Sequence, residues 1–426
     1  MSMAKFSRRE SRAISCVAPV LLACVSGLLA QAPQVTQPDL SGVVSANSQF
    51  AVDLYQKINA TAAADNIFLS PYSVSTALAM AYAGGRNNTQ KQMAGVLHFS
   101  LPDQSLLNGF AALLGQTKAA PGKDYQLDVA NALWGEKSEP FDPAYTGLID
   151  KYYGGGFNAV DFINDADGSR QKINQSVADS TEGKIQNLLG PGDVSKLTRL
   201  VLTSAIYFKG NWASPFETSE TQDAPFTLSS GNKVTVPLME QVRHFPFVKQ
   251  NGLTAIELPY ADNDLAMIAI LPDGDINKLA GSLSLAKIQQ LQKDMQSAMV
   301  DVYLPRFQFG SRYNLAQTLA QMGVADAFDA KKADFSGMDG KTDLYIGQVI
   351  HQAMIEVNEE GSVAAAATAT TMLAATAMPG PPETIELFRA DRPFFFMIVH
   401  NATGSILFMG RVSNPSSASG AASTPK

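Results

Sequence analysis

Cysteine is almost absent from this chain of 426 residues: Cys16 and Cys24 are its only two, and both lie within the first thirty residues. The folded part therefore has no disulfide and no cysteine-based metal site, and a chain of this length can stabilise a core without them. Histidine is scarce too, and none of the four residues has the short spacing of a metal-binding motif: His98, His244, His351 and His400.

Recognisable catalytic motifs are also missing. The sequence contains no HExxH, nucleophile elbow, phosphate loop or dinucleotide fingerprint. Gly154-Gly155-Gly156 is not followed by Lys-Ser or Lys-Thr, so an ordinary loop explains it better than a phosphate loop. A Ser-His-Asp triad can join distant residues, but so few histidines disfavour a hydrolase. We expect neither catalysis nor a cofactor.

Basic residues do not cluster either. The net charge is −7, from 32 Lys and Arg against 39 Asp and Glu, and no long basic run occurs. Nucleic acid is therefore not an expected partner.

Charge is missing altogether from one stretch. Charged residues make up 17% of the chain, yet residues 361–382, GSVAAAATATTMLAATAMPGPP, contain none. The stretch is too weakly apolar for a membrane span, and a linker or an alanine-rich helix would be a poorer explanation. In an extended strand, its small side chains would fit between existing strands on both faces, and Gly361 would give a hinge. We interpret it as a surface loop that can become a strand.

The N-terminus resembles an export signal. Residues 1–30 place basic side chains ahead of an uncharged apolar stretch over 13–30. Within it, Leu21-Leu22-Ala23-Cys24 is similar to a bacterial lipobox, which would make Cys24 a lipidated membrane tether. Cleavage near Ala30 or Ala32 with free secretion is the alternative. Either route predicts an exported protein, secreted or membrane-anchored.

Helical and strand patterns alternate along the rest of the chain without a linker or repeat. We predict a tether over 31–46, one large α+β domain over 47–415, and a flexible tail over 416–426.

Several blocks of this domain resemble, in order, the serpins, a family of serine protease inhibitors. The blocks are NIFLSPYSVSTALAMAYAGG, VLTSAIYFKGNWASPF, IELPYADNDLAMIAILPD, LPRFQF, LYIGQVIHQAMIEVNEEGSVAAAATA and FRADRPFFFMIVHNATGSILFMGRVSNP. The resemblance implies three β-sheets, about nine helices and an exposed reactive-centre loop. It also implies a monomer that acts as a suicide inhibitor. The target protease forms an acyl-enzyme with the loop, which then inserts into the large sheet and traps it.

The resemblance also assigns roles to particular residues. It implies a hinge at Glu359, Glu360, Gly361 and Ser362, followed by the small residues typical of inhibitory members, Ala364, Ala365, Ala366 and Ala367. A polar cluster that lets the sheet open, the shutter, would comprise Ser70, Ser73, Ser204 and His351. Trp212 would mark the breach, where the loop enters the sheet. The family usually has Asn at the position of Ser204, so we expect the shutter to lose an amide.

The family's usual spacing from the hinge implies a scissile bond between Ala375 and Thr376, with cuts after Leu373, Ala374 or Met378 as alternatives. No Lys or Arg occurs from residue 361 to residue 384. A protease with an acidic, trypsin-type pocket would therefore find no ion pair, and an elastase-like or subtilisin-like target with a small or aliphatic pocket is expected. The alternative is a non-inhibitory serpin-fold binding protein that proteases cleave only as a substrate.

Overall fold

The computed structural model describes residues 36–62, 65–118, 123–361 and 383–416. Ten α-helices lie within these ranges: α1 (Gln37–Asn59), α2 (Pro71–Gly84), α3 (Asn87–Leu97), α4 (Asp103–Thr117), α5 (Pro143–Tyr153), α6 (Ala166–Ser180), α7 (Ile276–Ser282), α8 (Leu285–Asp294), α9 (Ala316–Met322) and α10 (Ser336–Asp339). None of the helices in the described ranges has the length and apolar character needed to cross a membrane.

Fourteen strands lie within the same ranges: β1 (Ile67–Leu69), β2 (Tyr125–Glu136), β3 (Phe157–Val160), β4 (Leu200–Gly210), β5 (Gln222–Thr227), β6 (Lys233–Gln250), β7 (Leu253–Pro259), β8 (Leu265–Pro272), β9 (Gln296–Pro305), β10 (Phe307–Asn314), β11 (Ile346–Val357), β12 (Glu386–Arg389), β13 (Phe394–His400) and β14 (Ser405–Val412).

The tether predicted over 31–46 needs correction. Residues 37–46 belong to α1, and residues 31–35 lie outside the described residues. Thr36 begins the helix with a capping box: its hydroxyl accepts a hydrogen bond from the Asp39 amide, and the Asp39 carboxylate accepts one from the Thr36 amide, both at 3.3 Å. The following turns then bury Leu40 and Val43, which holds the start of the helix on the domain.

A five-stranded sheet, called the central sheet below, has the order β10-β11-β4-β2-β3. Its middle pair, β4 and β11, is parallel, whereas β10 and β2 pair antiparallel to their neighbours β11 and β4. We call the boundary between β4 and β11 the seam. The ladder across it runs from Ile346 beside Leu200 to Ile355 beside Phe208, with one bulge after Ile346, so the two strands bond directly to each other.

The other strands form one nine-stranded sheet among the described residues, where the resemblance implies two separate sheets. The cause is the length of β6, which pairs with β5 at its start, with β9 from Leu238 to Phe247, and with β7 at its end. The α+β class and the expected fold are confirmed, with ten helices in the described ranges where about nine were predicted.

The central sheet is covered on both faces. One face packs on the main core, in which α2 is buried along nearly its whole length. The other face carries a smaller apolar cluster, called the outer cluster, formed with α6 and the segment after it. A strand entering the seam would therefore be buried on both sides, which suits the small uncharged side chains of residues 361–371.

Candidate functional site

The shutter residues lie at the middle of the seam. Ser204 on β4 stands beside His351 on β11 and beside Asn131 on β2, so the three form one row across the sheet. Ser70 and Ser73, at the start of α2, lie against this row from the main core. All four predicted shutter residues are fully buried, and the structure brings them into direct contact.

The hydrogen bonds of this cluster determine the tautomer of His351 and the donors among the serine hydroxyls. His351 Nε2 accepts from the Ser70 amide at 3.0 Å, so the ring proton is on Nδ1, which lies 2.9 Å from both the carbonyl and the hydroxyl oxygen of Ser204. Ser73 Oγ donates to Asn131 Oδ1 at 2.6 Å. The 2.8 Å bond between the two hydroxyls must then be donated by Ser204. One chain of bonds thus joins β11, β4 and β2.

Burial controls the charge of His351. Loss of hydration lowers its pKa from 6.5 to about 4, although its bond to the Ser204 carbonyl opposes the shift. The ring is therefore neutral near pH 7, which the acceptor role of Nε2 requires. The same burial strengthens the hydrogen bonds of the cluster while every group is paired. It also raises the free-energy cost of leaving one buried group without its partner.

Asn131 was missed by the sequence analysis. With Ser204 in place of the usual Asn, the shutter was expected to lose an amide, but Asn131 supplies one from the neighbouring strand. Its Nδ2 is buried and has no hydrogen-bond partner among the described residues. The sequence marks Asn131 only as a polar residue in an apolar strand, and its register beside Ser204 is set by long-range pairing.

The breach lies where the seam ends. Trp212 follows β4, and its indole Nε1 donates to the carbonyl oxygen of Asn358 at 3.0 Å. The amides of Trp212 and Phe216 donate to the carbonyl oxygens of Glu360 and Glu359 at 3.0 and 2.8 Å. The Trp212 ring stacks on Tyr260, with 4.6 Å between ring centroids. The predicted breach residue therefore holds the predicted hinge at the end of β11.

The two hinge glutamates have different surroundings. Glu359 is 6% exposed; its carboxylate accepts from Thr221 Oγ1 at 2.8 Å and lies 3.4 Å from Arg306 Nε. Glu360 is exposed. Gly361 has a φ of +83°, and a Cβ there would lie 2.3 Å from the Gly210 carbonyl oxygen. Both the backbone angle and the close approach therefore require glycine.

Comparison with known proteins identifies the family. A family model described as "Serpin (serine protease inhibitor)" matches residues 45–415. The chain is a serpin. It is 41% identical to a leukocyte elastase inhibitor of Xenopus tropicalis over 384 residues, which cover 88% of this chain and 100% of that protein. An uncharacterized serpin-like protein of Thermococcus kodakarensis is 39% identical over 376 residues, 88% of this chain and 86% of that protein.

Solved structures agree. Uncleaved ovalbumin matches this serpin with a TM-score of 0.79 and 32% identity over 88% of this chain and all of that one. Maspin matches with a TM-score of 0.80 and 26% identity over 89% of this chain and all of that one.

Some predicted site residues of this serpin lie outside the described residues. They are the last predicted hinge residue, Ser362, the small-residue stretch Ala364 to Ala367, the bond between Ala375 and Thr376, and Cys24. The residues that the structure does describe form a seam, a buried lock at its middle and an anchored hinge at its end.

Proposed function

We propose that this serpin is a suicide inhibitor of serine proteases. The serine oxygen of the target would attack the carbonyl carbon of Ala375, and the bond to Thr376 would break. The leaving nitrogen takes a proton from the protease, and an ester remains. The cleaved loop then enters the seam and carries the protease along before water can hydrolyse the ester.

The observation that carries this proposal is the parallel pairing of β4 and β11. A chain that turns back at Gly361 and enters between them runs antiparallel to both. Insertion would thus replace one parallel ladder with two antiparallel ladders, and antiparallel pairing is the more stable per residue. The native form would be a kinetic trap, held by the shutter and the hinge contacts.

The proposed target has a small or aliphatic specificity pocket, as in elastase-like or subtilisin-like enzymes. The support is the lack of Lys and Arg over 361–384, and the name of the leukocyte elastase inhibitors to which the chain is similar agrees with it.

We also propose that the protein is exported from a bacterial cell, either secreted or tethered through lipid on Cys24. The support is the signal-like sequence of residues 1–30 and the lipobox-like Leu21-Leu22-Ala23-Cys24. Mass spectrometry of the mature N-terminus tests this proposal. A diacylglycerol adduct on Cys24 would establish the tether, a start near Ala32 would indicate free secretion, and an intact Met1 would reject export.

The inhibitory mechanism is tested by incubating the chain from Pro33 onward with pancreatic elastase, subtilisin and trypsin. Each mixture is boiled in SDS and separated on a gel, and the released C-terminal peptide is weighed. We expect a covalent band with elastase or subtilisin and a peptide that begins at Thr376. Faster trapping of trypsin would reject the proposed specificity. Cleavage without a covalent band would instead favour a binding protein that is only a substrate.

A further inference from the structure

A second fastening crosses the seam on the face opposite the shutter. Residues 181–199, called the strap, connect α6 to β4. Leu188 and Leu189 of the strap are fully buried in the outer cluster, together with Val201 of β4 and Ile350 of β11. Apolar contacts of the strap therefore reach both sides of the seam.

Polar bonds hold the middle of the strap, around Leu188 and Leu189, at two points. On one side, the Asn174 side chain of α6 donates to the Leu189 carbonyl at 2.9 Å and accepts from its amide at 2.7 Å. On the other side, Arg312 of β10 donates from Nε to the Leu188 carbonyl at 2.7 Å, and its guanidinium pairs with the Asp193 carboxylate. That carboxylate also accepts from the Gly190 amide at 2.7 Å.

The two points belong to different halves of the sheet. Helix α6 packs on β2, and the strap runs directly into β4. Arg312 lies on β10 beside Gln352 of β11. When the seam opens, β10 and β11 separate from β4 and β2. The bonds of Arg312 to Leu188 and Asp193 span this gap, so they must break before a strand can pass.

We propose that Arg312 is a positioning residue that sets the rate of loop insertion through its hold on Leu188 and Asp193. The proposal rests on the proposed inhibitory mechanism. Gln352, which pairs with Arg312, lies several residues before the end of β11 at Val357. The first hinge residues can therefore enter the seam before the bonds of Arg312 to Leu188 and Asp193, called the latch, break. Deeper insertion requires its release. A tighter latch gives the protease time to hydrolyse the ester, and a looser one permits insertion without cleavage.

The test uses the chain from Pro33 onward and a synthetic peptide of residues 362–375, whose uptake into the seam needs no protease. R312M removes the charge and the donors, whereas R312K keeps the ion pair and loses the Nε bond. We expect R312M to take up the peptide about tenfold faster, as for loss of hydrogen bonds to a charged group, and R312K to be intermediate. The number of inhibitor molecules consumed per trapped elastase should fall toward one.

Two control variants separate the latch from general loosening. K137M removes an ion pair of 2.9 Å with Asp161 at the far edge of the same sheet, where it does not cross the seam. I149V removes a buried methylene from α5 and lowers stability by about 1 kcal/mol. Both should keep uptake within twofold of wild type. Equal acceleration by I149V and R312M, or no uptake by any variant, would overturn the proposal for Arg312.

Failure of the inhibitory mechanism would look different. In that case the wild-type chain is cleaved by elastase without a covalent band, whereas peptide uptake still reports on Arg312.

Discussion

His351 can accept a hydrogen bond from the Ser70 amide only while Nε2 carries no proton. Protonation would remove this acceptor and place a charge among buried groups of the shutter. The shutter is therefore sensitive to acid at His351. Its pKa of about 4 is the pH below which the native protein binds a proton at this ring.

The first prediction concerns the pH dependence of stability. In the unfolded chain His351 binds a proton below about pH 6.5, whereas in the native protein it does so only below about 4. Between these values the unfolded state holds more protons, so the free energy of unfolding falls as the pH falls. The His351 contribution should be about 2 kcal/mol between pH 7 and 5. Denaturant titrations check this, and H351Q should have a smaller slope; an unchanged slope would contradict it.

The second prediction concerns Gly361. G361A adds a Cβ 2.3 Å from backbone atoms at a φ of +83°. G252A is the matched control, because Gly252 has a φ of +76° but nothing within 4 Å of the added atom. We expect G252A to lower the free energy of unfolding by about 1 kcal/mol. G361A should lower it further and release the hinge, which faster peptide uptake would reveal. Equal effects in both variants would show that the close contact is unimportant.

At the scale of residues, local sequence motifs pointed to five residues that lie at the seam or its end. They did not point to Asn131, whose position depends on strand pairing. Ser70, Ser73, Ser204, His351 and Trp212 stand in blocks with family-like sequence, and the structure places each of them at the seam or its end. Asn131 reaches the shutter because β2 pairs with β4 in a particular register. That register depends on contacts far apart in sequence, so no local pattern reveals it.

At the scale of elements, the hinge is a short turn in which the buried Glu359 carboxylate adds side-chain contacts to the backbone hydrogen bonds from Trp212 and Phe216. Glu359 contacts Thr221 and Arg306, which precede β5 and β10. The end of β11 is thus attached to the segments leading into two other strands. This attachment differs from the shutter because it includes an ion pair with Arg306, whose side chain is partly exposed to solvent.

The third prediction follows from this attachment. E359A should leave Thr221 Oγ1 without its acceptor and remove the ion pair, lowering the melting temperature of the native form by several degrees. E360A is the control, because the Glu360 side chain is exposed and its substitution leaves the neighbouring Glu359 and its contacts in place. Its melting temperature should stay within about one degree of wild type. Calorimetry of both variants measures the difference, and equal melting temperatures would refute the role of Glu359.

The start of α1 shows a signal that the sequence contained but the prediction did not use. Thr36 and Asp39 have the spacing of a capping box, which marks a helix N-terminus. Two nearby prolines favoured a tether instead. The merging of two predicted sheets through β6 is a different case, since how far one strand continues depends on the strands that pair with it.

At the scale of the whole molecule, the proposed mechanism requires two folds of unequal stability, one with the loop outside the seam and one with the loop inserted in it. The fourth prediction is that cutting the loop raises the melting temperature by more than about 10 °C, since a new strand adds two ladders at about 1 kcal/mol for each bond. A366E is the control: its loop should still be cut, but insertion would bury a charge. Calorimetry before and after cleavage measures both. No rise in wild type would exclude insertion.

The chain has two tryptophans, one at the breach and one on β2 beside the opposite end of β4. Trp212 contacts the hinge, and Trp134 is buried in the outer cluster, where its Nε1 donates to Thr203 Oγ1 at 2.9 Å. Their fluorescence can therefore time the insertion without an added label. In stopped-flow mixing with elastase, the Trp212 signal, isolated in W134F, should change before the Trp134 signal, isolated in W212F. Under the proposed mechanism, the two signals would time insertion of the loop against hydrolysis of the ester.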